Sequence, residues 1–184
     1  MDNPKLRKLL VLLHLYGAAF MAPAFLLVAI TGGMHMAGIG ESETSQPIAL
    51  PAGTQIDFKS PTAKDDVKAL LKAANVDMDF EYIKNRGSSA QTRPTSRPYV
   101  SFKKTDTGWT ATKQTPNLLK SMMEIHKGHG PKILRTYHKL AAVVLFFVIF
   151  GGLMVGLLAR AYRRKTVVAA VIGLLVYLGL VLFG

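Results

Sequence analysis

Twenty-three consecutive residues, Leu9 to Thr31, carry no Asp, Glu, Lys or Arg. As a helix rising 1.5 Å per residue, such a run reaches roughly 35 Å, enough to cross the hydrocarbon of a bilayer. Leu140–Ala159 and Val167–Phe183 are uncharged as well. Lipid offers no partner to a backbone N–H or C=O, so runs of this length must satisfy their backbone internally, as helices. Three such runs in 184 residues leave room for only one small water-facing domain, in the middle of the chain.

Charge orients the spans. Lys5, Arg7 and Lys8 precede the first against Asp2, and Arg160, Arg163, Arg164 and Lys165 separate the second from the third. Basic flanks mark cytoplasmic ends, and long loops cross largely regardless of their own charge. The N-terminus is therefore expected in the cytoplasm and the middle segment on the exported side. A cleaved signal peptide has an apolar core of about 7–15 residues. The first run is longer and contains His14, Tyr16 and Pro23, so it reads as an uncleaved anchor, with a kink or loosened ladder expected at Pro23. The expected division is a cytoplasmic N-terminus 1–8, first span 9–33, linker 34–46, exported domain 47–117, juxtamembrane helix and loop 118–136, second span 137–159, cytoplasmic basic loop 160–165 and third span 166–184.

The net charge of +12 would point to nucleic acid in a soluble protein, but no basic–aromatic module of that kind is present. Cations flanking apolar runs have a simpler role in orientation and contact with anionic lipid. The absence of cysteine removes disulfides, thiol nucleophiles and Cys-ligated metal sites. The lipid bilayer is thus the first expected partner, and nucleic acid is not one.

The middle segment has the pattern of an α+β domain. Ser60-Pro61 resembles an N-cap with proline at the first helical position. Ala63, Val67, Leu70, Leu71 and Ala74 mark one helical face, which predicts a helix from about Pro61 to Asn75. Phe80–Lys84 is a strand candidate, and Arg86–Pro98 reads as a polar loop. Tyr99–Lys104 and Trp109–Lys113 flank Thr105-Asp106-Thr107-Gly108, a hairpin signal. Asn117–Lys127 reads as an amphipathic helix lying at the membrane surface, broken by Gly128, Gly130 and Pro131.

Three features carry a family resemblance. The first span reads LHLYGAAFMAPAFLLVAITGG, with His14 near its start and Thr31-Gly32 near its end. The exported segment has helix-then-strands order with a Gly108-Trp109 turn. The second span is preceded by IHKGHG and ends in basic residues. The chain, up to about Arg164, resembles the PepSY-associated transmembrane proteins of the bacterial inner membrane. The resemblance implies a PepSY-like periplasmic domain between the first two of three spans. Larger members resemble membrane reductases of siderophore-bound iron and carry haem between helix histidines. Isolated PepSY modules are associated with regulation of secreted peptidases and with binding at the cell envelope. The third span has no histidine, a departure from the reductase pattern.

All five histidines are candidate cofactor ligands. His14 lies a few residues inside the first span and pairs with Met154, with its counterpart in a homo-oligomer, or with nothing beyond a structural hydrogen bond. At the opposite boundary His35 follows the first span and His138 opens the second. His126 and His129, three apart, suit one helical face if the helix extends that far. Together these four would hold haem b or a metal. Met34, Met36, Met122 and Met123 add thioethers that suit copper, the less favoured cofactor. Structural boundary histidines are the competing account. Asp65 and Asp66 diverge on a helix, the serines lack a triad context, and Gly152-x-x-x-Gly156 hints at close helix packing.

Two functions are thus expected. The favoured one is a non-catalytic, membrane-anchored accessory protein whose periplasmic domain binds a peptide or a membrane or periplasmic protein. The alternative is a haem b electron-transfer component related to ferric-siderophore reductases, with the outer-face histidines as ligands; only with haem bound would an oxidoreductase role arise.

Overall fold

The computed structural model describes residues 4–184. The elements in order are α1 (Pro4–Met36), β1 (Glu43–Ile48), α2 (Ala63–Ala73), β2 (Tyr82–Asn85), β3 (Ser89–Arg93), β4 (Tyr99–Thr105), β5 (Gly108–Pro116), α3 (Leu118–His126), α4 (Lys132–Leu158) and α5 (Arg163–Phe183). α1, α4 and α5 are long and apolar enough to cross a membrane. α1 runs through Pro23 as one assigned helix.

The chain divides into two compact units. One holds α1 up to Ala24 together with Lys139–Gly184, and the other is Phe25–His138. In the first, apolar side chains dominate the exposed surface, and α5 buries none of its residues within the chain. That is the signature of helices whose solvent is hydrocarbon rather than water.

The second unit is built on an antiparallel five-stranded sheet in the order β1-β5-β4-β3-β2. β2 to β5 form a meander, and β1 closes its far edge against β5. The expected hairpin forms, with Thr105 opposite Gly108 and a two-residue turn between them. Its register points the backbone groups of Glu43, Ser45 and Pro47 away from β5. Proline has no N–H to donate, so it is tolerated at such an edge position.

One face of the sheet carries the core. Val100, Phe102, Trp109, Ala111 and Ala90 pack with Phe80 against Val67 and Leu71 of α2. Ala63, Val67 and Leu71 recur every four residues, one stripe of the helix. Burying Val67 and Leu71 stabilises the domain by about 1.5–3 kcal/mol each. Phe58 meets Trp109 edge-on at 4.8 Å.

α2 is shorter than the expected Pro61–Asn75. Ser60 Oγ accepts from Thr62 N–H in a turn, and regular helix starts at Ala63. At the other end Asn75 adopts φ 57°, Val76 N–H donates to Leu71 O and Asn75 N–H to Lys72 O. This left-handed cap with two back-bonds stops the helix two residues early.

Three further expectations change. The 34–46 segment is not all linker, because α1 continues to Met36 and β1 starts at Glu43. Arg86–Pro98 is not a loop throughout. β3 runs through it as a polar central strand whose Ala90, Thr92 and Arg93 are buried. A strand paired on both sides needs only backbone donors and acceptors, so it gives no apolar alternation to read. Finally, α4 starts at Lys132, inside the segment expected to be loop, and α5 starts at Arg163.

Candidate functional site

The second face of the sheet is polar, and α3 covers it. Asn117 caps α3, its side chain accepting from Lys120 N–H at 2.7 Å while its amide group donates to Ser42 Oγ at 2.8 Å. α3 then buries Leu119, Met123 and Glu124. Its inward side faces the sheet rather than the surroundings, so only its outer side is available to a membrane surface.

Beneath α3 lies a buried ionic network. Arg93, 2% exposed, donates from Nη1 to Thr95 Oγ1 at 2.8 Å, and the same nitrogen lies 3.8 Å from Glu124 Oε2. Thr95 Oγ1 donates a short hydrogen bond to Glu124 Oε2. His129 Nδ1 lies 2.8 Å from the same carboxylate oxygen. His129 is also tied through its backbone, accepting from Thr95 N–H at 3.2 Å and donating to Glu124 O at 2.8 Å. Burial pushes the Glu124 carboxyl up, but the Thr95 and His129 hydrogen bonds and the charges of His129 and Lys120 outweigh it and hold the group below its usual range. Arg93 Nε is buried with no hydrogen-bond partner. On the same face Tyr99 donates to Glu43 at 3.0 Å, and burial together with that carboxylate pushes its hydroxyl far up.

A second cluster ties the end of α1 to α3. Glu41 lies 3.4 Å from His35 Nδ1, 3.4 Å from Lys120 Nζ and 3.5 Å from Lys127 Nζ. Thr31, fully buried, donates to Leu27 O at 2.6 Å and accepts from His126 Nδ1 at 2.8 Å. At the start of α4, Lys132 N–H donates to Glu81 at 2.9 Å and Arg135 to the Tyr82 hydroxyl at 2.9 Å.

In the helical unit His14 Nδ1–H donates to Val148 O at 2.8 Å. Its ring lies against Gly152, where an added Cβ would stand 2.8 Å from His14 Cε1. A mainly apolar cleft of about 440 Å³ opens beside it, lined by Leu13, Tyr16, Val144, Phe147 and Phe150 among others. A bis-ligated electron-transfer haem b held between membrane helices takes two axial side chains at one depth. This cleft presents one imidazole and Met154 does not line it, so one chain does not fit a doubly ligated haem there.

The histidines expected to gather at the outer boundary take separate partners: Glu41 for His35, Thr31 for His126 and Glu124 for His129. α3 ends at His126, so His129 lies beyond it on a loop and not on the same helical face. His138 lies in α4 with its ring 6.0 Å from that of Tyr137. Met123 is buried and Met36 is exposed. Among the described residues no group of three or more His, Cys, Asp and Glu side chains is placed to hold a metal ion.

Arg93 and Thr95 escaped sequence reasoning because Arg86–Pro98 resembled a loop, and Glu124 on α3 then had no visible partner. One signal was present. Glu124 is the only acidic residue after Asp106, in a stretch otherwise rich in cations. A lone carboxylate on an amphipathic helix has many partners to find. Comparison with protein-family models, with curated proteins and with solved structures returns no match.

Proposed function

We propose that the chain is a membrane-anchored accessory protein of the PepSY-associated kind, with its N-terminus in the cytoplasm of a bacterial cell. Its sheet domain faces the periplasm between the first two spans and binds an extended peptide or a protein, without a catalytic centre of its own. The open edge of β1 carries this reading. A cleft of about 390 Å³ lined by Gln46, Ile48, Asn75, Asp77 and Lys113 lies beside it. A second of about 270 Å³ reaches from Ile48 past Leu50 to Trp109. Edge backbone groups at Glu43 and Ser45 supply hydrogen bonds, and the clefts supply side-chain pockets. The ionic network under α3 supports a role in presentation, since it uses the domain's buried titratable groups to hold one rigid arrangement.

A photo-crosslinking residue at Gln46, compared with one at Lys64 on the exposed face of α2, tests this in native membranes. Capture of a defined partner at position 46 alone is expected, competed by that partner's peptide. Equal capture at both positions, or none, ends the proposal.

A second reading keeps haem b, as an electron-transfer component related to the ferric-siderophore reductases. Its support is that His35, His126 and His129, the outer-face histidines of this reading, turn Nδ1 to an oxygen, the orientation that leaves Nε2 for a ligand. A reduced-minus-oxidised spectrum of the protein purified from haem-replete cells decides it. Absence of a Soret and α band removes this reading.

A further inference from the structure

Large exposed apolar side chains are abundant on the spanning helices but almost missing from the sheet domain. Between Glu43 and Pro116 none is strongly exposed, yet Met36, Ile39, Leu118 and Ile133 are 89%, 49%, 77% and 81% exposed. All four sit where the sheet domain meets its apolar helices: the end of α1, the turn after it, the first residue of α3 and the first turn of α4. Asn117 N–H donates to Ser42 O at 2.9 Å, and Glu41 meets His35, Lys120 and Lys127, which ties the segment carrying Met36 and Ile39 to the start of α3 beside Leu118.

Cations lie near these apolar groups in the chain. Lys120 and Lys127 follow Leu118 on the α3 side, while Lys132 and Arg135 flank Ile133 and stand 5.5 and 5.9 Å from the Tyr82 ring centre. Glu41 pairs with Lys120 and Lys127, and Glu81 takes the Lys132 N–H, so these four cations stand against two acids and the local balance is positive. Exposed apolar side chains beside cations in excess are the makings of a surface that sits at the headgroup level of a bilayer.

We propose that this part of the sheet domain seats on the headgroup region of an anionic bilayer, with Leu118 and Ile133 dipping below the phosphates and the cations in excess, Lys132 and Arg135 foremost, binding them. The proposal rests on α1 and α4 crossing that bilayer and is independent of peptide binding at β1. It gives a function to cations that orientation alone does not require on the exported side.

The chain lacks cysteine, so single labels are clean. Full-length Leu118→Cys, Ile133→Cys, Lys64→Cys and Val144→Cys each receive one environment-sensitive dye in nanodiscs containing nitroxide lipids. In phosphatidylglycerol discs, headgroup nitroxide is expected to quench the dyes at 118 and 133 at least about twofold more than the dye at 64. The excess should shrink in phosphatidylcholine and as salt shortens the Debye length to about 3 Å at 1 M. Acyl-chain nitroxide quenching of the dye at 144 separates failure of this proposal from failure of the membrane premise. With position 144 quenched, equal quenching at 118, 133 and 64 overturns the seating. An excess indifferent to lipid charge and salt overturns the anionic recognition. Protection of position 118 only in native membranes, without lipid quenching, assigns the surface to a protein and overturns it as well.

Discussion

Thr31 and His126, 95 positions apart in the chain, meet at 2.8 Å between the C-terminal end of α1 and the last residue of α3. Thr31 gives its only hydroxyl proton to Leu27 O, so the imidazole must donate. Thr31→Val keeps the shape but leaves His126 Nδ1–H without an acceptor. The cost of such an orphan is about 1–3 kcal/mol. Hydrogen–deuterium exchange of the α3 amides should accelerate in Thr31→Val and recover in Thr31→Ser. Unchanged α3 protection would show that the contact does not hold the helix.

Glu124 faces a guanidinium that is almost wholly buried. Removing its charge strands Arg93, and breaking a buried pair in this way costs about 3–5 kcal/mol. Trp109, the one tryptophan, lies in the sheet core and reports unfolding by fluorescence. Glu124→Gln should lower the urea midpoint of that signal strongly at neutral pH.

The same carboxylate gives a pH dependence. Its folded pKa lies below the unfolded value, near 4.3 for a free glutamate. Its contribution is therefore fully present above that value and is lost as pH falls through the lower folded one. Urea midpoints measured downward from pH 6 should fall in the wild type, and the fall should be shallower in Glu124→Gln. Parallel curves would contradict the assignment.

Gly152 and Gly151 are adjacent on α4 but have opposite surroundings. A Cβ at Gly152 would stand 2.8 Å from His14 Cε1, whereas one at Gly151 meets nothing within 4 Å. Gly152→Ala should displace the His14 ring from Val148 O and cost about 1–3 kcal/mol through overpacking. Gly151→Ala should be neutral or slightly stabilising. Thermal denaturation in mild detergent reads both, and equal midpoints would remove His14 as a helix-packing contact.

Gly108 closes the β4–β5 hairpin at φ 140°, and a Cβ there would lie 2.7 Å from Thr54 O. Trp109 N–H donates to that same carbonyl at 3.0 Å. Gly108→Ala must therefore strain the turn or break this tie, at a cost of about 1–3 kcal/mol. Gly87, at φ 83° with open space around it, provides the comparison. Trp109 emission should shift to the red in Gly108→Ala and stay in place in Gly87→Ala.

The three long apolar helices were legible because length and lack of charge are local properties, visible in any stretch of the chain. The hairpin at Thr105–Gly108 and the apolar stripe of α2 were legible for the same reason, since turn chemistry and helical periodicity act over a few residues. What the histidines do was not local. His126, His129 and His35 lie near one boundary in the sequence, yet each is assigned by an oxygen on another element: Thr31, Glu124 and Glu41. β3 was hidden for a related reason, because its place is held by pairing with β2 and β4 and not by its own side chains. Arg93 shows the division most sharply. By itself it was one cation in a polar stretch. Pairing of β3 with its neighbours buried it, and α3, folding back over the sheet, supplied the carboxylate that a buried charge requires. The sequence by itself determined that the chain has three apolar spans and one small sheet domain. Only tertiary structure decided which charges became interior, because desolvation and partner choice depend on what the rest of the chain brings to the same point.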